Sequence, residues 1–297
     1  MKTRNKDILC IGEVMWDRLP EKSIPGGAPM NVGLHLVKVG YSVQICSSLG
    51  DDQAGREFAQ YLQTTDLDTH LIQANHNLPT SEVPIYIDEN NNPTFDILEP
   101  VAWDQLELTP QLEASAQAVG TIVYGSLASR NQMTRATIQS ILSYDNIKIM
   151  DVNMRPPHVS QAVVENLIRH ADIVKMNDDE LLTMAGWHNV QSSDLNELIQ
   201  WLSDTYNTGI ICVTRGKDGA MVWDHGDISE HPGFTVKAVD TVGSGDAFLA
   251  GFVSVLFDGK SAADALKYAC ALGAYVATKP GATPTYHSSE IQKILEA

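Results

Sequence analysis

The segment DTVGSGDAFLAGFVSVLF, from Asp240 to Phe257, sets a carboxylate directly after a run of small residues and before a long apolar stretch. Gly243, Ser244 and Gly245 carry so little side chain that their backbone N–H groups can close on an anion. The stretch from Ala247 to Phe257 is long enough for a buried helix. A loop that feeds a helix N-terminus in this way is a natural phosphate cradle, because the unpaired N–H groups and the helix dipole both favour negative charge. Asp246 falls in the first turn, where the dipole favours the ionised carboxylate. Beside a bound phosphate, that carboxylate is placed to take a proton from an alcohol. Taken alone, it reads more readily as an ordinary acid at a helix start.

A second group lies near the N-terminus. In PGGAPMNVGLHLVKVG, Gly26 and Gly27 precede a helical segment that ends near Gly40. Paired glycines let a small polar ligand lie against the backbone, and Asn31 offers both a donor and an acceptor to a hydroxyl. Asp17, in GEVMWD, can accept hydrogen bonds from two hydroxyls. The segment from Gly26 to Gly40 offers only His35 and Lys38 as cations, which disfavours an acceptor that already carries phosphate. Two common nucleotide motifs fail: Ser254 stands where a Walker A loop ending in Gly259-Lys260-Ser261 needs glycine, and Phe248 stands where a dinucleotide fingerprint needs its third glycine. The histidines are scattered without zinc-ligand spacing.

Something must bring these two distant groups together. The 297 residues, 43% hydrophobic and 19% charged, suffice for one sizeable α/β domain. Apolar runs that read as buried strands occur at Ile8 to Ile11, Val43 to Ser47, Thr121 to Tyr124, Ile147 to Met150, Ile173 to Lys175 and Ile210 to Thr214. Helical periods lie between most of them, as in Leu195, Leu198, Leu202 and Tyr206, and Ser261 with Asp264 predicts a capping box on the helix that carries Leu266 and Cys270. Strands alternating with helices indicate a mainly parallel sheet covered on both faces. Asp151 and Asn153, Asn177, and Arg215 with Gly216 follow such strands, at the end where open α/β sheets bind ligands. The stretch SEVPIYIDENNNPTFDILEP departs from this rhythm and predicts a hairpin, Val83 to Ile87 and Thr94 to Leu98 around the turn ENNNP. With the region around Val14 to Ser23 it would either project as a lid or form an ordinary edge hairpin.

The formal net charge of -17 repels nucleic acid and anionic membranes, so an anionic ligand must be held by local groups. Cys10, Cys46, Cys212 and Cys270 form no CxxC pair and read as reduced, buried thiols. The N-terminal apolar stretch is broken at Gly12 and Glu13, short of a signal-peptide core, and no run approaches the roughly 20 apolar residues of a membrane span. A cytoplasmic location without membrane or nucleic-acid partners is expected.

Taken together, GGAPMN, NDDE (Asn177 to Glu180), VTRGKDGA (Val213 to Ala220) and DTVGSGDAF stand in the order and separation of the ribokinase-like (PfkB) family of sugar kinases, which the chain resembles over nearly its whole length. PGGAP, the GDD at Gly50 to Asp52, YGSLASR at Tyr124 to Arg130 and DVNMRPP at Asp151 to Pro157 are most similar to fructokinases. The resemblance implies a three-layer α/β/α fold over residues 1–297, with a small β lid from approximately 13–25 and 82–100 that is also the expected face of a homodimer. It implies Asp246 as catalytic base and Gly243 to Gly245 as anion hole. It implies Asp17, Gly27, Asn31 and Arg155 as sugar contacts, Arg155 being held extended by Pro156. Asn177, Thr214, Gly216 and Gly219 become nucleotide contacts. Glu180 organises Mg2+ around the ATP phosphates, and Asp240 with the segment KPGATPT (Lys279 to Thr285) resembles a site for a monovalent cation such as K+. The reaction implied is transfer from ATP to a primary hydroxyl, with fructose as acceptor. Another sugar, a sugar acid or a nucleoside is the alternative within the fold. A non-catalytic sugar-binding regulator and a nicotinamide-dependent dehydrogenase are the alternatives from other classes.

Overall fold

Uninterrupted apolar runs bounded by turn residues become strands that are covered on both faces. The computed structural model describes residues 6–19, 21–87 and 93–296. Its strands are β1 (Asp7–Ile11), β2 (Met15–Arg18), β3 (Ser23–Gly26), β4 (Ser42–Gly50), β5 (Asp68–Asn75), β6 (Glu82–Ile87), β7 (Pro93–Phe95), β8 (Thr121–Gly125), β9 (Ile147–Asp151), β10 (Ile173–Asn177), β11 (Ile210–Thr214), β12 (Ala220–Asp224) and β13 (Asp227–His231). All six strands read from the sequence are present. The helices are α1 (Ala28–Lys38), α2 (Gln53–Leu62), α3 (Pro110–Ala118), α4 (Gln132–Ile141), α5 (Gln161–Ile168), α6 (Asp178–Trp187), α7 (Leu195–Tyr206), α8 (Ser244–Phe257), α9 (Ala262–Ala277) and α10 (Ser288–Leu295).

The main sheet runs β13-β12-β11-β10-β9-β8-β1-β4-β5, parallel from β11 to β5, with β12 and β13 added antiparallel at one edge. Successive side chains of a strand point to opposite faces, and β1 shows the result. Leu9 and Ile11 enter the core shared with α3 to α7, while Ile8 and Cys10 enter the core shared with α1, α2, α8 and α9. All four are 0% exposed, so helices close both faces and the fold has three layers. The chain winds outward from β1 through β4 to β5, and in the opposite direction from β8 to β13. The switch point therefore lies at the carboxyl ends of β1 and β8, where such sheets leave a crevice.

Beside this crevice stands a second sheet, β3-β2-β6-β7. Trp16 anchors it: its Nε1 donates to the Ala54 carbonyl on α2 at 3.0 Å, and its ring meets Phe58 edge-on. The expected hairpin is present as β6 against β7, while most of its turn, residues 88–92, lies outside the described residues. Its second strand stops at Phe95 instead of Leu98. Beyond it the buried guanidinium of Arg130, paired with Asp104 at 2.8 Å, donates to the Leu98 carbonyl at 2.7 Å, so that carbonyl is held outside the ladder.

Two other expectations are revised. Ser261 caps α9 by accepting from the Asp264 N–H, but the Asp264 carboxylate accepts from the Ser261 hydroxyl and not from its backbone, so only half a capping box forms. Aspartate is one methylene shorter than the glutamate that closes such a box. Arg215 does not face the crevice; it pairs with Glu230 at 3.3 Å. The four cysteines are free and buried, and no helix among the described residues is long and apolar enough to cross a membrane.

Candidate active site

The crevice opens into a cleft of about 750 Å3 between the switch point and the small sheet. Asp17, Gly27, Asn31, Arg155, Asp240, Gly243, Gly245 and Asp246 all line it, so the two groups separated by more than half the chain meet there.

Gly243 makes this possible on one side. It holds φ at 77°, and a Cβ on it would lie 2.5 Å from the Ala282 backbone, so only glycine fits. It occupies the cap position of α8 without supplying a side-chain cap, which leaves first-turn N–H groups available to an anion. Ser244 opens that helix, its Oγ buried and without a hydrogen-bond partner. Asp246 follows in the first turn, 9% exposed, accepting from Asn31 Nδ2 at 2.8 Å. Burial lifts its pKa from 3.8 to about 6, and the negative charge of Asp151 adds to the rise; Lys175, the Asn31 hydrogen bond and Arg155 oppose it. Desolvation thus outweighs the helix-dipole preference anticipated from the sequence. A carboxylate in this range is close to the working pH of a general base.

The other end of the cleft is built around Gly27. Its φ of 124° and the 2.3 Å that would separate a Cβ from the Glu13 carbonyl admit only glycine at this point of the lining. Asn31 is buried with its Oδ1 unpartnered. Asp17, on β2, has its pKa raised to about 6 by burial, against the pull of Arg155. Arg155 sits exposed at the rim. Sequence reading passed over Glu13. It is 2% exposed, lines the cleft, accepts backbone N–H groups from itself and Ala28, and keeps Oε2 without a partner. Burial raises its pKa to about 7. The signal was available as an acid immediately after a buried strand.

The back wall is held by α1. Asn31, His35 and Lys38 lie on one stripe of that helix. His35 is wholly buried between Tyr286 Oη and the Ala282 carbonyl, each at 3.0 Å from a ring nitrogen, and burial lowers its pKa to about 4. With Nε2–H donating to the carbonyl, Nδ1 accepts from the tyrosine. Lys38 Nζ donates to the Thr283 and Pro284 carbonyls. Asp240 ties the same segment to the anion loop: its carboxylate accepts from Val242 N–H and Gly281 N–H, each at 3.0 Å.

Asn177, Glu180, Thr214, Gly216 and Gly219 do not line this cleft; they sit beside it at the ends of β10 and β11, where Asn177 is in register with Thr214. Asn177 and Glu180 form a complete capping box on α6. Glu180 Oε1 also accepts from Met154 N–H at 2.6 Å, pinning the loop that carries Arg155. Gly216 and Gly219 have φ of 55° and 83° in the turn after β11. Between the two zones lies Lys175, which sequence reading treated only as a strand end. Its Nζ donates to both oxygens of Asp151 at 3.0 and 3.1 Å, in register across β9 and β10.

Comparison with known proteins identifies the family. The model of the pfkB family carbohydrate kinases matches residues 5–288. A probable fructokinase-7 of Arabidopsis thaliana is 26% identical over 326 residues, covering 98% of this chain and 92% of that protein. A fructokinase of Salmonella typhimurium is 28% identical over 266 residues, 85% of each. A fructokinase double mutant from Vibrio cholerae O395, solved with fructose, ADP and potassium ion, superposes with a TM-score of 0.84 at 25% identity, over 97% of this chain and 98% of that one. The glycine-bearing loop before α8 and the Gly27 segment thus share one cleft in a sequence that the family model spans almost end to end, and the chain belongs to the pfkB family of carbohydrate kinases.

Proposed function

We propose that the protein transfers the γ-phosphoryl group of ATP to the primary hydroxyl of D-fructose, giving fructose 6-phosphate. The observation that carries this reading is the Asn31–Asp246 hydrogen bond, which seats the proton acceptor on the boundary between the anion loop and the acceptor pocket. Asp246 takes the proton from the attacking hydroxyl, and the first turn of α8 holds the migrating phosphoryl group. Asp17, Asn31, Arg155 and the bare Gly27 backbone bind the sugar hydroxyls. The turn after β11, with Thr214, Gly216 and Gly219, holds the nucleotide.

Glu180 and Asn177 suit hydrated Mg2+ carried by the phosphates. Each Glu180 oxygen is engaged by one N–H and retains lone-pair capacity for a metal-bound water. Magnesium, when bound, neutralises phosphate charge. A monovalent cation such as K+ would lie against the backbone carbonyls of the two segments that Asp240 joins. The small sheet serves as the lid that excludes water, and its outer face, where Tyr86 is exposed, as the homodimer contact. The enzyme works in the cytoplasm, where its buried thiols stay reduced.

ADP release measured over a panel of sugars, sugar acids and nucleosides tests the assignment. Fructose should give the highest kcat/KM, because a pocket built around particular hydroxyls is penalised when a polar group is left unpaired. A higher value with any other acceptor overturns fructose, and no ADP release with any acceptor overturns the kinase assignment for this chain.

A further inference from the structure

A protein of net charge -17 that handles a polyanionic nucleotide needs positive charge at the point of transfer. Arg155 stands at the rim and Lys22, also on the cleft, is exposed. Lys175 is different. It is 7% exposed yet lines the cleft, and a Cβ built on Gly245 would lie 2.9 Å from its Nζ, which puts the ammonium under the first turn of α8, next to Asp246. An ammonium has three protons to donate. Asp151 accepts on one side, and no second protein acceptor among the described residues answers it on the cleft side. Burial alone would strip the proton from such a lysine. The surrounding carboxylates of Asp151, Asp246 and Glu180 outweigh burial and keep it charged.

We propose that Lys175 is a catalytic residue that donates to the transferred phosphoryl group over Gly245, with Asp151 as the residue that positions it. The proposal rests on the phosphoryl-transfer reading above and adds a second consequence. Asp246 is faced by Lys175 and Asp151 from β10 and β9, by Asn31 from α1, by Arg155 from the loop after β9 and by Glu13 from the turn after β1. Lys175 is the only buried cation in that set, so it also keeps Asp246 able to accept a proton near neutral pH.

Two variants separate chemistry from packing. Lys175→Met leaves Asp151 buried without its partner; Lys175→Met with Asp151→Leu removes the whole pair, an exchange that buried ion pairs often tolerate without loss of stability. In both, kcat should fall by about 10²–10³-fold, the usual effect of removing one donor to developing charge. Calorimetric titration should show ATP affinity lowered at least about tenfold while ADP affinity stays within about threefold, because the contact is to the group that ADP lacks. The acid limb of the kcat profile should move to higher pH in the single variant and return toward the wild-type position in the double one, where the opposing charge of Asp151 has gone too. A folded double variant with wild-type turnover would make the pair purely structural. Equal changes in ATP and ADP affinity, or none in either, would remove Lys175 from the phosphoryl group. If the wild-type protein phosphorylates no acceptor on the panel, the transfer reading fails, and the ATP-against-ADP comparison still decides the contact.

Discussion

In Asp246→Asn a carboxylate is exchanged for an amide of nearly the same size, whose Oδ1 can still accept from Asn31 Nδ2. Turnover should drop by about 10²–10⁴-fold, the ordinary contribution of a general base. Stability should move the other way. Burial raises the Asp246 pKa from 3.8 to about 6 even with Lys175 nearby, and at about 1.4 kcal/mol per pH unit this means roughly 3 kcal/mol to hold it ionised. The neutral amide escapes that cost, so the unfolding free energy at pH 7.5 should rise by on the order of 1–3 kcal/mol; the lower figure allows for Lys175 losing one negative neighbour. Because the folded-state pKa is the raised one, the native wild-type protein binds this proton more tightly than the unfolded chain. Its stability contribution is full below about pH 4 and is lost as pH rises through about 6. The advantage of the variant should therefore be about half its full size at pH 5 and fully open at pH 7.5. Urea unfolding followed by tryptophan fluorescence at the two pH values, beside an ADP-release assay, reads both quantities. A variant that folds normally but is less stable than wild type at pH 7.5 would mean that the Lys175 attraction outweighs burial, and the argument for a base poised near pH 6 would be wrong.

Asp17→Ala should raise KM for the sugar by about tenfold to a hundredfold, from the roughly 1.5–3 kcal/mol of hydrogen bonds to a charged group, with KM for ATP unchanged; equal sugar KM would take Asp17 out of the pocket. Glu180→Gln should raise the Mg2+ concentration needed for half-maximal rate, since one negative charge leaves an oxygen-ligand site. Unchanged magnesium dependence at full activity would reduce Asn177 to Glu180 to a helix start. A sugar hydroxyl donating to Glu13 Oε2 favours the ionised acid, so sugar KM should fall as pH rises through about 7, and Glu13→Gln should flatten that dependence. An unaltered profile in the variant would leave Glu13 without a role in binding.

Much of this arrangement could be read from residue order because its local signals are strong. β1, β4, β8, β9, β10 and β11 each carry a short apolar run, and the two glycine segments each precede a helix. β5 and β13 escaped notice because they lie at the edges of the main sheet, where exposed polar positions dilute the pattern. Glu13 and Lys175 were missed for a different reason. Each is a charged residue inside or against a buried strand, and its meaning depends on a partner far away in sequence. The register of β9 against β10 places Asp151 beside Lys175, and neither strand announces that pairing. The motif residues Asp52 and Arg130 show the reverse: Asp52 caps α2 and holds Thr80, Arg130 braces Asp104 and Leu98, and both build the walls without entering the cleft.

The stripe along α1 makes that helix a phase reference for the enzyme. Asn31 reaches Asp246, His35 reaches Ala282, and Lys38 reaches Thr283 and Pro284, each from the same side. One residue inserted between Asn31 and His35 would turn everything downstream by about 100° and swing His35 away from the segment behind Gly243, while leaving a helix that still looks sound by composition. Length changes in natural relatives or engineered versions should therefore collect before Gly27 or after Lys38. A new acceptor specificity can be grafted by exchanging β2, β3 and β6 around an α1 that is carried over as an indivisible block.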